Sequence, residues 1–189
     1  MHELVARELY EALEYARSID EETGKRILIQ FEIDQPMFSQ TLFTIFPTII
    51  DNQSSEVKYQ NLAQHFADLC FDVLCVYQKA FGKMPQTFED NTSWMESQAM
   101  LLDKELTPLL TSSHVNDKAA KKMREDFFKP KEGEFIQTGL VEFMNMAVDH
   151  FAEESGEDYH ASLLDLTKTM LFVVIRMFNN LYSLPPKTA

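Results

Sequence analysis

QPMFSQTLFTIFPTIIDNQSSEVKYQNLAQHFADLCFDVLCVYQKAFGKMP, residues 35 to 85, shares its apolar pattern with IQTGLVEFMNMAVDHFAEESGEDYHASLLDLTKTMLFVVIRMFNNLYSLPP, residues 136 to 186, at a gapless offset of 101 positions. Six of the 51 paired residues are identical (Ser54/Ser155, Glu56/Glu157, Leu62/Leu163, Phe71/Phe172, Val73/Val174 and Pro85/Pro186), so identity contributes little. What recurs is the order of parts: an apolar helix, a turn at Ser54-Ser55 or Ser155-Gly156, a second helix of equal length and a closing proline. Any two amphipathic helices share the 3.6-residue period, so coincident periodicity competes with duplication as the explanation. The expected fold is all-α, a helical bundle of about six to seven helices in a single domain, 1–189. Its two helical hairpins, 35–85 and 136–186, are expected around a pseudo-two-fold, with a helical insertion at 86–135.

The long second helices should lie at the centre. Leu62, Phe66, Leu69, Val73, Val76 and Ala80 repeat at spacings of four and three, as do Leu163, Thr167, Met170, Val174, Met177 and Leu181. Such a stripe must pack on neighbouring helices. The second arc is wider, roughly 200° at about 100° per residue, which suits a helix covered on most sides.

Flanking signals set the remaining expectations. A first helix is read from His2 to Ile19, ending before Glu22-Thr23-Gly24, and RILIQFEI (26–33) as a short helix despite its β-branched residues. Asp34 is expected to cap the next helix, with Pro36 in its first turn and Pro47 kinking it or ending it early. Ser54 or Ser55 should cap the long helix that Gly82 closes, and the last long helix should begin near Glu157. Within the insertion, a helix from about Thr92 to Leu106 carries Trp94, and a basic helix starting at Ser113 stops before Pro130. Residues 118–131 hold six of the seventeen basic residues, interrupted by acids, and read as a solvated face.

Composition limits the partners. A chain with 45% hydrophobic residues, fifteen phenylalanines, ten methionines and five glycines can fill a large core without disulfide or metal staples. A net charge of −13 disfavours direct binding of nucleic acid and favours a basic protein partner. The first residues lack the basic start and apolar run of a secretory signal, so a cytoplasmic location is expected. The most apolar run, Met170 to Ile175, falls far short of the roughly 20 residues needed to cross a bilayer, so no membrane insertion is expected. Cys70 and Cys75 diverge by about 140° around their helix, which makes them separate buried thiols.

Three sets of residues could carry chemistry. Phe71 and Phe172 lie about 160 to 180° from the main stripes, either as exposed aromatic anchors for a partner or covered by further helices. Asp149, His150, Glu153, Glu154, Glu157, Asp158 and His160 crowd the second turn, and Glu157-x-x-His160 has the spacing that metal-binding helical bundles use. A duplicated metal site would need a second such pair, yet the matching positions are Glu56 and Tyr59. His65, Asp68 and Asp72, with Asn61 nearby, share a flank on which a histidine could serve as general base or merely meet a screened carboxylate. Glycine-rich phosphate loops, Gly-x-Ser-x-Gly, Cys-x-x-Cys and His-Glu-x-x-His are missing from the sequence.

The favoured reading is a non-enzymatic interaction module without cofactor: a regulator, adaptor, immunity-type inhibitor or dedicated chaperone that binds another protein, with a homodimer as a further expectation. A divalent-metal enzyme using His150, Glu153, Glu154, Glu157 and His160 is one alternative. An acidic mimic of nucleic acid that binds a basic protein is another.

Overall fold

A computed structural model of the chain describes residues 1–85, 93–100, 129 and 135–184. Most of the insertion lies outside the described residues, including the basic helix read from Ser113 and the far end of the Trp94 helix, of which residues 93–100 are helical. The described chain is all-helical: α1 (Ala6–Ser18), α2 (Glu21–Asp34), α3 (Pro36–Gln40), α4 (Phe46–Asp51), α5 (Val57–Phe81), α6 (Thr138–Ser155) and α7 (Ala161–Tyr182). A π-turn, Thr41–Ile45, joins α3 to α4.

Local chemistry explains where these elements begin and end. α1 stops at Ser18 because Asp20 caps a new helix, its carboxylate accepting the Thr23 backbone N–H at 2.8 Å. RILIQFEI is therefore the later part of the fourteen-residue α2, longer than the short helix expected. Gly24, expected in a break, sits inside α2, where a β-carbon would lie 3.5 Å from the Phe71 ring. Asp34 does not cap the next helix: it is the last residue of α2, and Gln35 makes the corner with φ −143°.

Pro47 acts upstream of itself. Its ring crowds the carbonyl four residues back and it offers no N–H, so an ordinary ladder cannot run through this point. The helix widens into the π-turn at Thr41–Ile45 and then resumes as α4. Neither Ser54 nor Ser55 caps α5, whose N-cap is Glu56. The Ser54 hydroxyl instead accepts the Glu56 N–H at 3.4 Å. Gly82 does close α5, with φ 84°, and Gly156 ends α6 in the left-handed region.

Both long helices are central. Leu62, Phe66, Val73 and Val76 of α5 are wholly buried, as are Thr167, Val174 and Leu181 of α7. α4 folds back on α5, α6 folds back on α7, and α5 packs against α7. Each opening helix also touches the other hairpin's long helix.

α5 and α7 run parallel, and their register matches the sequence echo. At one end the Tyr159 hydroxyl donates to the Lys58 carbonyl at 3.1 Å, across a separation of 101 residues. At the other end Tyr77 and Phe178 stack at 5.1 Å, and the rings of Phe81 and Tyr182 lie 6.0 Å apart. These pairs are also 101 positions apart, so matched positions face each other along the seam. A two-fold axis running between parallel helices would produce such contacts, whatever the ancestry of the two halves.

The seam also holds a buried polar contact. The Tyr77 hydroxyl donates to Asn179 Oδ1 at 2.6 Å and lies 3.1 Å from the Ile175 carbonyl, while Asn179 Nδ2 donates to the Phe135 carbonyl at 2.8 Å. Around it Phe178 meets Phe31 and Phe38, which join α2 and α3 to the core.

α1 lies outside both hairpins. It lies along α5 and reaches α6, where a β-carbon on Gly139 would come within 3.0 Å of Leu9. Buried Gln137 secures this end of the chain by accepting the Leu4 N–H and donating to the His2 carbonyl, both at 2.8 Å.

Candidate functional site

Where α1, α5 and α6 meet, their side chains line a groove of about 430 Å³. Arg17 contributes from α1; His65, Leu69 and Asp72 from α5; and Phe143, Met146, Ala147, His150, Phe151 and Glu154 from α6. α6 can supply this wall because it has two apolar faces. Leu140, Met144 and Val148 repeat every four residues and are buried in the core, while Phe143, Ala147 and Phe151 repeat at the same interval one position earlier.

His65 lies flat against Phe151, with centroids 4.2 Å apart and planes 9° from parallel, and its Nε2 is 3.3 Å from the Ala147 carbonyl. Burial lowers its pKa, partly offset by that carbonyl contact and by Asp68, so the ring is neutral near pH 7. Asp68 accepts a hydrogen bond from Gln64 at 2.9 Å. Burial pushes the Asp72 carboxyl up to about 6; Arg17 opposes the shift and Asp68 adds to it. The Arg17 guanidinium also stands 5.3 Å from the centre of the Phe143 ring. Across the groove, exposed His150 meets Glu154 at 3.2 Å.

The structure redistributes the residues singled out in the sequence. His65 and Asp72 share the groove with His150 and Glu154, two members of the acidic cluster on the second turn. The other members disperse: Asp149 pairs with Lys168 at 2.6 Å, and His160 is the backbone N-cap of α7. Glu157 and His160 do not share a helix face, because Gly156 ends α6 and α7 starts only at Ala161. The i, i+3 geometry behind the metal expectation is therefore not formed. Among the described residues, no group of three or more His, Cys, Asp or Glu side chains is placed to hold a metal ion. Glu153 is exposed on the last turn of α6.

The outward-pointing aromatic pair is corrected as well. Phe172 is 1% exposed, and Phe71 is half-buried beneath α2 at Gly24. Further helices cover the side that the stripe geometry left open, so the two rings are not a pair of exposed anchors. Cys70 and Cys75 are free and buried, and burial pushes the Cys75 thiol up to about 12. A thiol so protonated is a poor nucleophile at neutral pH.

Arg17, Phe143, Met146, Ala147 and Phe151 are the wall residues that sequence reasoning missed. The signal was the second four-residue repeat on α6, visible only if its face is separated from the core stripe. Comparison with protein-family models, curated proteins and solved structures gave no match. No helix among the described residues is long and apolar enough to cross a membrane.

Proposed function

We propose that the chain is a non-enzymatic, cytoplasmic protein-interaction module whose groove between α1, α5 and α6 receives a basic amphipathic segment of another protein. The observation that carries this reading is the mixed lining: Leu69, Phe143, Met146, Ala147 and Phe151 present apolar surface beside Asp72 and Glu154. Met146 is 62% exposed on this wall, a large apolar side chain that a partner could cover. A space of about 430 Å³ accommodates a few inserted side chains. Asp72 and Glu154 outnumber Arg17 in this lining, and on a chain of net charge −13 they favour lysine or arginine in the occupant. The two free, buried thiols fit a reducing compartment.

General-base catalysis draws less support, because His65 meets a carbonyl and a phenyl ring, and among the described residues no carboxylate orients it by hydrogen bond. Fluorescence anisotropy with labelled Lys/Arg-rich amphipathic peptides tests the binding reading. Binding that weakens with salt and falls at least about tenfold in Met146→Lys is expected. An absence of binding across such peptides, or binding indifferent to Met146→Lys and Glu154→Lys, overturns it.

A further inference from the structure

The groove between α1, α5 and α6 already contains a cation of its own. Arg17 stands on the last turn of α1, with its guanidinium 5.3 Å from the centre of the Phe143 ring on α6. Its charge also reaches α5: burial raises the Asp72 carboxyl, and Arg17 opposes that rise. One guanidinium thus serves a ring and a carboxylate on two other helices, and all three residues line the same space. The other arginine of α1, Arg7, is tied to Glu11 at 2.8 Å, whereas among the described residues no carboxylate holds Arg17 at ion-pair distance.

An incoming lysine or arginine would seek the same two groups. A cation gains most where an aromatic face and a carboxylate stand together, and Phe143 and Asp72 form that combination in this groove. Glu154, the other carboxylate of the lining, already meets His150 at 3.2 Å. Two cations a few ångströms apart repel, so the newcomer and Arg17 cannot share the subsite. Arg17 can leave it, because its side chain is exposed and a cation–ring contact open to water is weak. An acid brought in to pair with Arg17 would instead meet Asp72 and Glu154 on a chain of net charge −13.

Building on the groove reading, we propose that Arg17 is a resident competitor, an intramolecular cation that fills the Phe143–Asp72 subsite and is displaced by a lysine or arginine of the incoming segment. The exchange of one cation for another is nearly neutral. Net binding then comes from apolar side chains laid against Leu69, Met146 and Phe151, so Arg17 selects amphipathic segments over merely basic ones.

The test is fluorescence anisotropy with a labelled amphipathic peptide of leucine and lysine, on the parent, Arg17→Gln, Arg17→Lys and Arg7→Gln. Arg17→Gln should bind about three- to tenfold more tightly than the parent, and Arg17→Lys, which keeps the cation, should bind as the parent does. Arg7→Gln makes the same change in net charge outside the groove and should leave affinity unchanged. Without any peptide, the Asp72 carboxyl followed by NMR should titrate higher in Arg17→Gln and not in Arg7→Gln. Equal tightening in both glutamine variants assigns the effect to net charge and overturns the inference, as does weaker binding in Arg17→Gln. Binding that Met146→Lys weakens but Arg17→Gln leaves unchanged overturns this inference alone. An absence of binding by the parent and every variant overturns the groove reading and the inference with it.

Discussion

The two helical segments that open the hairpins hold matching places and carry opposite surfaces. Residues 36–51 lie against α5, and α6 lies against α7, each touching the other long helix as well. At an offset of 101, exposed Ile45 and Ile49 correspond to Met146 and His150, and Gln53 corresponds to Glu154. One segment is interrupted by a π-turn and has no charge from residue 35 to residue 50. The other is a continuous eighteen-residue helix whose outer face combines Met146 with His150 and Glu154. The comparison teaches that the shared pattern fixes apolar character more than depth: buried Leu42 and Ile50 correspond to Phe143 and Phe151 of the groove wall, while buried Met144 and Val148 correspond to half-buried Phe43 and Pro47.

The largest effect should come from breaking what the halves share. Phe178→Ala removes a ring that touches Phe31, Phe38 and Tyr77, and should cost about 3–5 kcal/mol in urea denaturation. Loss below about 1 kcal/mol would mean that the parallel seam does not hold the hairpins together.

Exchanging the outer faces sharpens the contrast with less damage. Met146→Ile, His150→Ile and Glu154→Gln together give α6 the outer residues of the first hairpin. Affinity for basic amphipathic peptides should fall by about 1.5–3 kcal/mol in titration calorimetry, with folding stability changed by less than about 1 kcal/mol. Asn179→Ala then tests the asymmetry of the seam, because the matching residue, Gln78, lacks the contact that Asn179 makes with the Tyr77 hydroxyl. It should cost about 1–3 kcal/mol by removing the hydroxyl's 2.6 Å acceptor and taking the amide donor from the Phe135 carbonyl.

The smallest effect concerns Asp72, whose counterpart is the apolar Val173. Its carboxyl titrates near 6 in the fold against an ordinary 3.8. Between those values the folded chain retains a proton that the unfolded chain has lost, so this group makes stability fall as pH rises from about 4 to 6. His65 acts oppositely: with its pKa lowered from 6.5, it withdraws stability as pH falls below that value. Asp72→Asn removes only the first contribution. After allowing for solvent screening, it should be about 1 kcal/mol more stable than the parent at pH 7 and equal to it at pH 4, compared by urea melts.

The inner architecture was legible in the sequence because burial imposes a period. Both stripes, their central place and the turn at Gly156 follow from residues whose spacing repeats every three to four positions. Asp34 and Ser54 misled because an oxygen at the right place caps a helix only if the backbone turns there, and the turns fell at Gln35 and Glu56. The groove was half legible. His65, Asp72, His150 and Glu154 stood out as chemistry, but 82 residues separate His65 from Ala147, and nothing local announces that α1, α5 and α6 would line one groove. Phe71 and Phe172 failed for the reverse reason: a single helix shows which side is apolar, not how many neighbours will come to cover it.

The parallel seam bears on the order in which the chain gains structure. α1 through α5 can meet as soon as residue 81 is available, but the inner stripe of α5 waits for α7, about 100 residues further on. Closing so long a loop before its contacts form raises the contact order above that of an ordinary up-down bundle and slows folding. At some 5–20 residues per second, a ribosome takes roughly 5–20 seconds to supply those residues. Throughout that interval Leu62, Phe66, Val73 and Tyr77 lack their final cover, a period of greatest exposure to aggregation and to holdase chaperones.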